Sequence, residues 1–227
     1  MKKYTEKYHH RRSPAFTMIE LVLVIVVLGI LAAVGIPRLE RDLKQEAADN
    51  VLSAVRYTQH LALIDDKQKF DNPKWQQRWW RIYFGTCDKG IFYAIGSDDN
   101  MESANNARVD FSESAIDPAN GKQIWAHDGG ACGGSAGDDA ISPEVLLGKK
   151  YGITGYQLSG GCSNSYLGFD HLGRPYGDKF TISTKPDYQG RVTQTCVMTF
   201  TLSDGDTFSI KVEPETGYAY IDGQPDS

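Results

Sequence analysis

Residues 13–40 read SPAFTMIELVLVIVVLGILAAVGIPRLE, and the apolar run within them, from Phe16 to Ile36, contains a single charged residue, Glu20. A helix of this length rises about 31 Å at roughly 1.5 Å per residue, close to the ~30 Å hydrocarbon thickness of a bilayer. Its many β-branched residues do not oppose a helix, because in lipid the backbone must satisfy its own hydrogen bonds. We therefore predict a transmembrane helix over residues 16–37, ahead of a more polar body.

A short basic segment precedes the apolar run. It contains one acid, Glu6, and five basic residues, which are Lys2, Lys3, Lys7, Arg11 and Arg12. The positive-inside rule places such a segment in the cytoplasm, so that the body is exported. The apolar core of an ordinary secretory signal has only about 7 to 15 residues and ends in a small-residue cleavage site. This run shows neither feature, and we expect the apolar helix to be retained.

The boundary between the basic segment and the apolar run carries a specific motif. After the small residue Ala15 the chain continues Phe-Thr-Met-Ile-Glu, residues 16–20. This motif resembles the N-terminus of type IV pilins and type II secretion pseudopilins, although that family usually has glycine where this chain has Ala15. The resemblance implies that a prepilin peptidase removes residues 1–15 as a leader, cutting between Ala15 and Phe16, and that the new Phe16 amine is methylated.

Glu20 is the one acid within the predicted membrane helix. A carboxylate in a membrane helix costs up to a few kcal/mol, so intramembrane acids usually have a partner. Cleavage before Phe16 would create a cation at similar depth, and the resemblance implies that Glu20 pairs during assembly with the Phe16 amine of a neighbouring subunit. The alternative is that Glu20, which lies near the start of the run, only reaches the lipid headgroups.

Beyond Pro37 apolar residues recur at helical spacing, with charged residues between them. The positions in this stripe are Leu39, Leu43, Ala47, Val51, Val55 and either Leu61 or Ala62. Such spacing predicts an amphipathic helix. We expect it over residues 38–66, as a continuation of the membrane helix. Its apolar stripe needs cover, and a globular domain over residues 67–227 can supply it.

Short runs rich in aromatic and β-branched residues follow Pro73 and are separated by glycine, proline, asparagine and aspartate. Such runs are typical of strands in an antiparallel sheet. They cover residues 79–86, 90–97, 107–113, 151–158, 165–170, 196–202, 207–212 and 218–221. Asp204-Gly205 lies between two of them and is a strong hairpin signal. We therefore predict an α+β fold, pilin-like as the resemblance implies, in which a long N-terminal helix packs on a β-rich head.

The C-terminal half carries a second resemblance. The segment YLGFDHLGRPYG, residues 166–177, contains Phe169 and Gly173, and the closing strand follows Thr216-Gly217. This arrangement is similar to the minor pseudopilins of the H type and to their type IV pilus relatives. Residues 98–150 form an insert without a counterpart in that pattern.

All four cysteines lie in the body that we expect to be exported. An oxidising compartment favours two disulfides among them. The four are Cys87, Cys132, Cys162 and Cys196. Four cysteines allow three connectivities, and the sequence does not choose among them. Buried free thiols are the alternative.

Two possible chemical sites lie in the glycine-rich part of the insert. Ser135 satisfies the G-x-S-x-G pattern of a hydrolase nucleophile, but it lacks the strand, turn and helix that this motif requires. Asp128, Asp138 and Asp139 are weak calcium candidates, since carboxylates suit Ca²⁺ but their spacing matches no standard calcium loop. We predict no cofactor and no metal.

The segment KWQQRWWRIYF, residues 74–84, mixes basic and aromatic residues that could contact nucleic acid. We instead interpret Trp75 and Trp79, one helical turn apart, as packing on the domain, with Arg78 and Arg81 outside. The chain carries a formal net charge of −5, and an acidic body disfavours non-specific binding to phosphates.

These observations predict a structural protein rather than an enzyme. The resemblance implies a minor pseudopilin of a type II secretion-like system, a single-pass inner-membrane protein with a cytoplasmic N-terminus and a periplasmic head. Its implied partners are other major and minor pseudopilins, the prepilin peptidase, the inner-membrane assembly platform and membrane lipid. The near alternative is a minor type IV pilin or competence pseudopilin. A membrane-anchored periplasmic enzyme would need a convergent polar site, which the sequence does not show.

Overall fold

The computed structural model describes residues 17–101, 109–162, 165–177, 180 and 185–224, without the side chains of residues 32–42. The chain divides into two compact units, Met1–Asp42 and Leu43–Ser227, and each is treated by itself. The predicted leader, residues 1–15, and Phe16 lie outside the described residues.

Helix α1, Met18–Ile64, begins in the first unit and ends in the second. It ends two residues before the predicted limit at residue 66. The large apolar side chains from Met18 to Leu31 are exposed. Within the described part of the chain, no helix is both long and apolar enough to span a membrane. The predicted span over residues 16–37 falls partly on residues whose side chains lie outside that part.

In the second unit the remainder of α1 buries one face in the core of the head. The buried residues on this face are Ala47, Ala48, Val51, Leu52, Ala54, Val55 and Ala62. Four of them are alanines, and such small side chains let a helix approach its neighbours closely. The predicted apolar stripe is therefore covered from Ala47 onward, whereas Leu43 is exposed and the side chain of Leu39 lies outside the described residues.

Within the described residues, eight strands build two antiparallel sheets. They are β1 (Arg81–Cys87), β2 (Gly90–Gly96), β3 (Ile153–Gly160), β4 (Tyr166–Phe169), β5 (Pro175–Tyr176), β6 (Cys196–Leu202), β7 (Thr207–Val212) and β8 (Ala219–Ile221). The strand order is β2-β1-β4-β5 in the first sheet and β3-β6-β7-β8 in the second. The predicted α+β fold is confirmed. A short helix α2, Leu147–Tyr151, precedes β3.

The hairpin predicted at Asp204-Gly205 connects β6 and β7, whose register pairs Thr201 with Thr207. Side chains along β6 alternate strictly between buried and half-buried positions. This alternation is expected when one face of a sheet lies on the core and the other faces outward.

The described residues of one predicted strand, 109–113, form no strand, and one short strand lies outside the predicted runs. Within the run at residues 107–113, Phe111–Glu113 is a 3-10 helix. The Asp110 N–H donates to Glu113 Oε2 at 3.3 Å, a local bond that competes with strand pairing. The missed strand is β5, only two residues long and begun by Pro175, which is too short to show a period.

The aromatic segment before β1 packs as predicted. Trp75 and Trp79 are buried and their ring centroids lie 5.3 Å apart. Tyr176 of β5 packs on Trp79 at 4.5 Å between centroids. With Phe180 these residues form a small apolar cluster of their own.

The prediction that the neighbouring arginines lie outside is wrong. Arg81 is fully buried, and its Nη1 donates to the carbonyl oxygens of Gln77 (2.6 Å) and Trp79 (3.2 Å). Its Nη2 lies 3.9 Å from Oδ2 of Asp98, which is buried as well. Arg78 is largely covered too, at 2.9 Å from Asp99. A buried guanidinium is tolerated because carbonyl acceptors and a carboxylate surround it.

Candidate functional site

Glu20 lies in the first turn of α1 and forms a reciprocal pair of contacts with Thr17. The Glu20 N–H donates to Thr17 Oγ1 at 3.3 Å, and the Thr17 N–H approaches Glu20 Oε2 at 3.4 Å. This is the capping-box arrangement, in which a Thr and a Glu three residues later satisfy each other's free N–H groups. The motif therefore fixes the start of the helix as well as supplying a charge.

The position of Glu20 suits contact with a cation. A carboxylate is favoured at a helix N-terminus, where the backbone dipoles leave partial positive charge. Glu20 is exposed, and both of its side-chain contacts with Thr17 use Oε2. The other half of the predicted site, Ala15 and Phe16, lies outside the described residues.

A second group of predicted residues comes together in the head, at Gln59 of α1. Gln59 Nε2 donates to the carbonyl oxygens of Gly173 and Thr216, both at 2.9 Å. Gly217 has φ +66°, and a Cβ there would also lie 3.1 Å from the Phe169 ring. Gly173, Thr216 and Gly217 therefore lie around one side chain of α1, and Phe169 lies beside Gly217.

The turn that carries Gly173 is built on Asp170, whose side chain is buried. Asp170 Oδ1 accepts the backbone N–H groups of Leu172 (3.0 Å) and Arg174 (2.9 Å), and its Oδ2 accepts Arg174 Nε at 2.7 Å. The Asp170 carboxylate raises the pKa of Arg174, chiefly through this last hydrogen bond. The carbonyl of Gly173 is thereby held in place for Gln59.

A neighbouring side chain of α1 attaches the helix to the second sheet. Arg56 donates through Nε (3.2 Å) and Nη2 (2.8 Å) to the carbonyl oxygen of Ala219 in β8. Arg56 and Gln59 therefore hold the start of β8 and the turn before it on the helix. Neither residue could be predicted from the sequence, because a polar residue on an amphipathic helix is normally expected to face solvent.

The cysteines form two disulfides, and the structure selects one of the three connectivities. Cys87 pairs with Cys132 (Cα–Cα 5.2 Å) and Cys162 pairs with Cys196 (Cα–Cα 5.0 Å). The first disulfide attaches the insert to the end of β1. The second joins the segment after β3 to the start of β6.

The weak calcium candidates are not brought together. Asp128 Oδ1 accepts the Thr86 N–H at 2.9 Å, and Asp138 pairs with Lys89 and accepts the Gly133 N–H at 3.1 Å. The Lys89 contact lowers the pKa of Asp138. Among the described residues, the one group with three candidate ligands close together contains both cysteines of the first disulfide, which are not available to a metal.

Ser135 lies exposed in a 3-10 turn, Gly134–Ala136. Another 3-10 turn, Asp138–Ala140, follows it. The strand-to-helix elbow of a hydrolase nucleophile is therefore missing at this serine.

Comparison with known proteins finds one motif at the N-terminus and one partly matching relative. The prokaryotic N-terminal methylation motif matches residues 10–36. The type IV narrow pilus major component PilA5 of Thermus thermophilus is 38% identical over 72 residues, which cover 28% of this chain and 62% of that protein. The chain thus matches less than two thirds of that relative. No solved structure matches the chain.

The matched region contains the Thr17–Glu20 capping box, and the fold behind it is a long helix followed by an antiparallel β-rich head. Proteins with this N-terminal signal assemble with other pilin subunits and are processed by a prepilin peptidase. This chain carries the prokaryotic N-terminal methylation motif, the signal of type IV pilins and pseudopilins, on an α+β fold of a long helix and an antiparallel β-rich head.

Proposed function

We propose that the chain is a minor pseudopilin of a type II secretion-like system, a subunit of a periplasmic pseudopilus that drives protein export. The observation that carries this proposal is the methylation motif at residues 10–36, which leads into helix α1 of 47 residues. In this role the helix packs against the helices of neighbouring subunits, and the head makes the specific contacts with partners.

The described apolar side chains at the start of α1 support an anchoring role. They are exposed from Met18 to Leu31, and a surface of this kind needs lipid or another apolar surface as cover. In the proposed cycle, inner-membrane lipid around residues 16–37 covers it first. Helices of neighbouring major and minor pseudopilins then take the place of lipid as the assembly platform adds the subunit.

Maturation would create the charge pair that assembly needs. We propose that prepilin peptidase cuts between Ala15 and Phe16 and that the new amine is methylated. The exposed Glu20 carboxylate then pairs with the Phe16 amine of a neighbouring subunit. The capping box supports this step, because it holds the carboxylate at the start of the helix.

A periplasmic location for the head agrees with its cysteines. All four are paired in disulfides, and such bonds persist in oxidising compartments such as the bacterial periplasm. The topology that we propose has the N-terminus in the cytoplasm and the head in the periplasm.

N-terminal sequencing and mass spectrometry of the membrane-extracted protein test the proposal. The expected mature chain begins at a methylated Phe16. An intact Met1, or a first residue beyond Ile36, would contradict a pilin-like maturation.

A minor type IV pilin or competence pseudopilin is the second candidate, and the similarity to a narrow pilus component favours it. Deletion of the gene separates the two. Loss of exported proteins from the medium supports the secretion role. Loss of surface pili supports the pilus role, and loss of DNA uptake supports the competence role.

A further inference from the structure

A pocket of about 230 Å³ opens between α1 and the insert. Its helix wall is formed by Asn50, Ser53, Ala54 and Tyr57, which share one side of α1 because residues three or four apart lie on the same face of a helix. The facing wall comes from β2 and from the insert. All of these residues belong to the second compact unit, so the pocket lies within the head.

The pocket has an apolar floor and an open rim. Its lining includes the buried apolar residues Ala54, Ile95 and Ile124, whereas Ser53 and Pro118 in the same lining are exposed. A concave apolar surface with a few convergent polar groups is the usual form of a ligand site. The polar groups of this pocket therefore indicate what it can bind.

The carboxylate of Asp117 lines the pocket, although this residue is only 8% exposed. Its Oδ1 accepts the Ala119 N–H at 2.9 Å, and its Oδ2 accepts Asn120 Nδ2 at 2.8 Å and Ser142 Oγ at 2.6 Å. All three donors are neutral, so they fix the carboxylate without balancing its charge. A charge buried in a protein is usually paired with an opposite charge.

Within the described part of the chain, no basic side chain neutralises Asp117. The described lining of the pocket contains no lysine, arginine or histidine, and no ion pair among the described residues includes Asp117. The other carboxylate in the lining, Glu144, is already paired with Lys150. The pocket therefore keeps one unbalanced negative charge.

The charge of Asp117 acts on the helix wall of the pocket. The Tyr57 hydroxyl donates to the carbonyl of Ile116 at 3.0 Å, which places the phenol beside the residue that precedes Asp117. Burial raises the pKa of Tyr57, and the Asp117 charge raises it further. Tyr57 and Tyr93 both line the pocket, and tyrosine rings are favourable neighbours for a cation.

The hydrogen bonds of Asp117 also indicate which cation fits. A carboxylate has about four acceptor positions, and its Oδ1 here accepts one hydrogen bond whereas Oδ2 accepts two. One further donor at Oδ1 suits a compact ammonium group better than a guanidinium, which binds both oxygens of a carboxylate. A Ca²⁺ ion would need about six to eight oxygen ligands, which an apolar floor does not supply.

We propose that this pocket binds a primary alkylammonium ion. The charged head would donate a hydrogen bond to Asp117 Oδ1, and the apolar stem would lie on Ile95 and Ile124. The binding would combine a charge-assisted hydrogen bond with burial of the stem. This inference concerns the head alone and does not rest on the proposed role in filament assembly.

The test uses the full chain in detergent, labelled at its isoleucine methyl groups, and pentylammonium chloride as the ligand. We expect millimolar affinity, because a ligand of this size makes few contacts. The NMR signals of Ile95 and Ile124 should shift on titration, whereas those of Ile82 and Ile210, which are buried elsewhere, should not. Pentanol is the matched control ligand, since it keeps the stem and lacks the charge, and it should bind at least about tenfold more weakly.

A pair of substitutions separates the charge of Asp117 from its contribution to the loop. Asp117→Asn removes the charge and should weaken pentylammonium binding at least about tenfold. Ser142→Ala removes one hydrogen bond to the same carboxylate but keeps the charge, and this variant should bind nearly as well as the wild type.

A second pair locates the binding without changing any buried residue. Ser53 and His60 are both exposed on α1, but only Ser53 lines the pocket. Ser53→Trp should block binding of pentylammonium by filling the pocket, and His60→Trp should leave it unchanged.

The same chemistry could come from a free amine or from a lysine side chain of a protein partner. An N-acetylated, C-amidated peptide with one lysine between glycines distinguishes them. Binding at least as tight as that of pentylammonium would assign the site to a partner's lysine, and weaker binding would assign it to a free amine.

Three results would overturn the proposal. They are unchanged signals of Ile95 and Ile124, equal binding of pentanol, and undiminished binding by Asp117→Asn. Any of them would leave Asp117 with a purely structural role in the insert. Each measurement is made on unassembled protein, so its failure is distinguishable from a failure of the proposed assembly role.

Discussion

The side chain of Glu20 has two separable roles at the start of α1. It completes a capping box with Thr17, and in the proposed assembly it pairs with the Phe16 amine of a neighbour. The first role belongs to the single chain, and the second exists only between subunits. Substitution of each partner in turn can therefore separate them.

We expect Glu20→Ala to leave membrane insertion intact and to reduce incorporation into filaments. Loss of a charge-assisted contact costs about 1.5–3 kcal/mol, which corresponds to roughly tenfold or more at each subunit junction. The measurement is the ratio of filament-associated to membrane-associated protein.

Thr17→Ala is the matched control, since it removes the cap, worth about 1 kcal/mol to the helix, and keeps the carboxylate. It should be incorporated at close to the normal level. An equal defect in the two variants would assign the effect to capping and count against the pairing.

Asp98 and Asp99 are adjacent in sequence, but the side chain of Asp98 is buried and that of Asp99 is partly exposed. Substituting each of them in turn therefore compares a buried ion pair with an exposed one. Asp98 faces Arg81 inside the protein, where burial lowers the pKa of the arginine to about 10. Asp99 bridges Lys67 and Arg78 with its side chain 48% exposed. Breaking a buried pair leaves an uncompensated charge, whereas an exposed pair contributes little.

Asp98→Ala should lower the free energy of unfolding by about 3–5 kcal/mol, and Asp99→Ala by no more than about 1 kcal/mol. Urea denaturation of the two variants beside the wild type measures both values. Similar losses for the two would show that the Arg81 carbonyl contacts, and not Asp98, sustain the buried guanidinium.

At the scale of elements, the side chain of Gln59 connects α1 to turns of both sheets. Gln59 serves two carbonyl groups that belong to separate turns, one before β5 and one before β8. Removal of its amide would leave both acceptors without this donor.

Gln59→Leu should lower the free energy of unfolding by about 1–3 kcal/mol, because the new side chain keeps most of the bulk and loses the donors. His60→Leu at the adjacent, exposed position should change it by less than about 0.5 kcal/mol. Thermal unfolding followed by circular dichroism compares the two. No difference between them would mean that water replaces the amide at both carbonyls.

The elements that could be predicted are those with a regular period. The long helix and most of the strands follow from apolar residues spaced for a helix or bounded by turn residues. The motif at residues 166–177 and Thr216-Gly217 also pointed to residues that do meet in space. The turn at Asp204-Gly205 could be predicted because Gly205 has φ +90°, a backbone conformation that favours glycine.

The remaining parts could not be predicted because their conformations depend on hydrogen bonds made by single side chains and not on a periodic pattern. In the insert, Asp117 accepts hydrogen bonds from Asn120 (2.8 Å) and Ser142 (2.6 Å), which gives a fixed loop without any period. A charged residue such as Arg81 is normally predicted to be solvated, and its burial is explained only by the carbonyls and the Asp98 carboxylate around it, which the sequence does not reveal. The cysteine pairing needed the strand order, which brings Cys162 next to Cys196.

At the scale of the whole molecule, two covalent links fix the connections of the head. The Cys87–Cys132 link spans 45 residues and holds the insert, whereas the Cys162–Cys196 link spans 34 residues and joins two paired strands. In the chain-entropy account, a disulfide stabilises the folded state by restricting the unfolded chain, and the effect grows only slowly with loop length.

We therefore expect the two links to contribute similarly, at about 4 kcal/mol each. Replacement of both cysteines of a pair by alanine should lower the free energy of unfolding by this amount for either pair, measured by urea denaturation of oxidised protein. Single replacements leave one thiol free and serve to detect exchange between pairs. A much smaller loss for Cys87→Ala with Cys132→Ala would show that the insert is held by its hydrogen bonds, because loop length alone predicts no such difference.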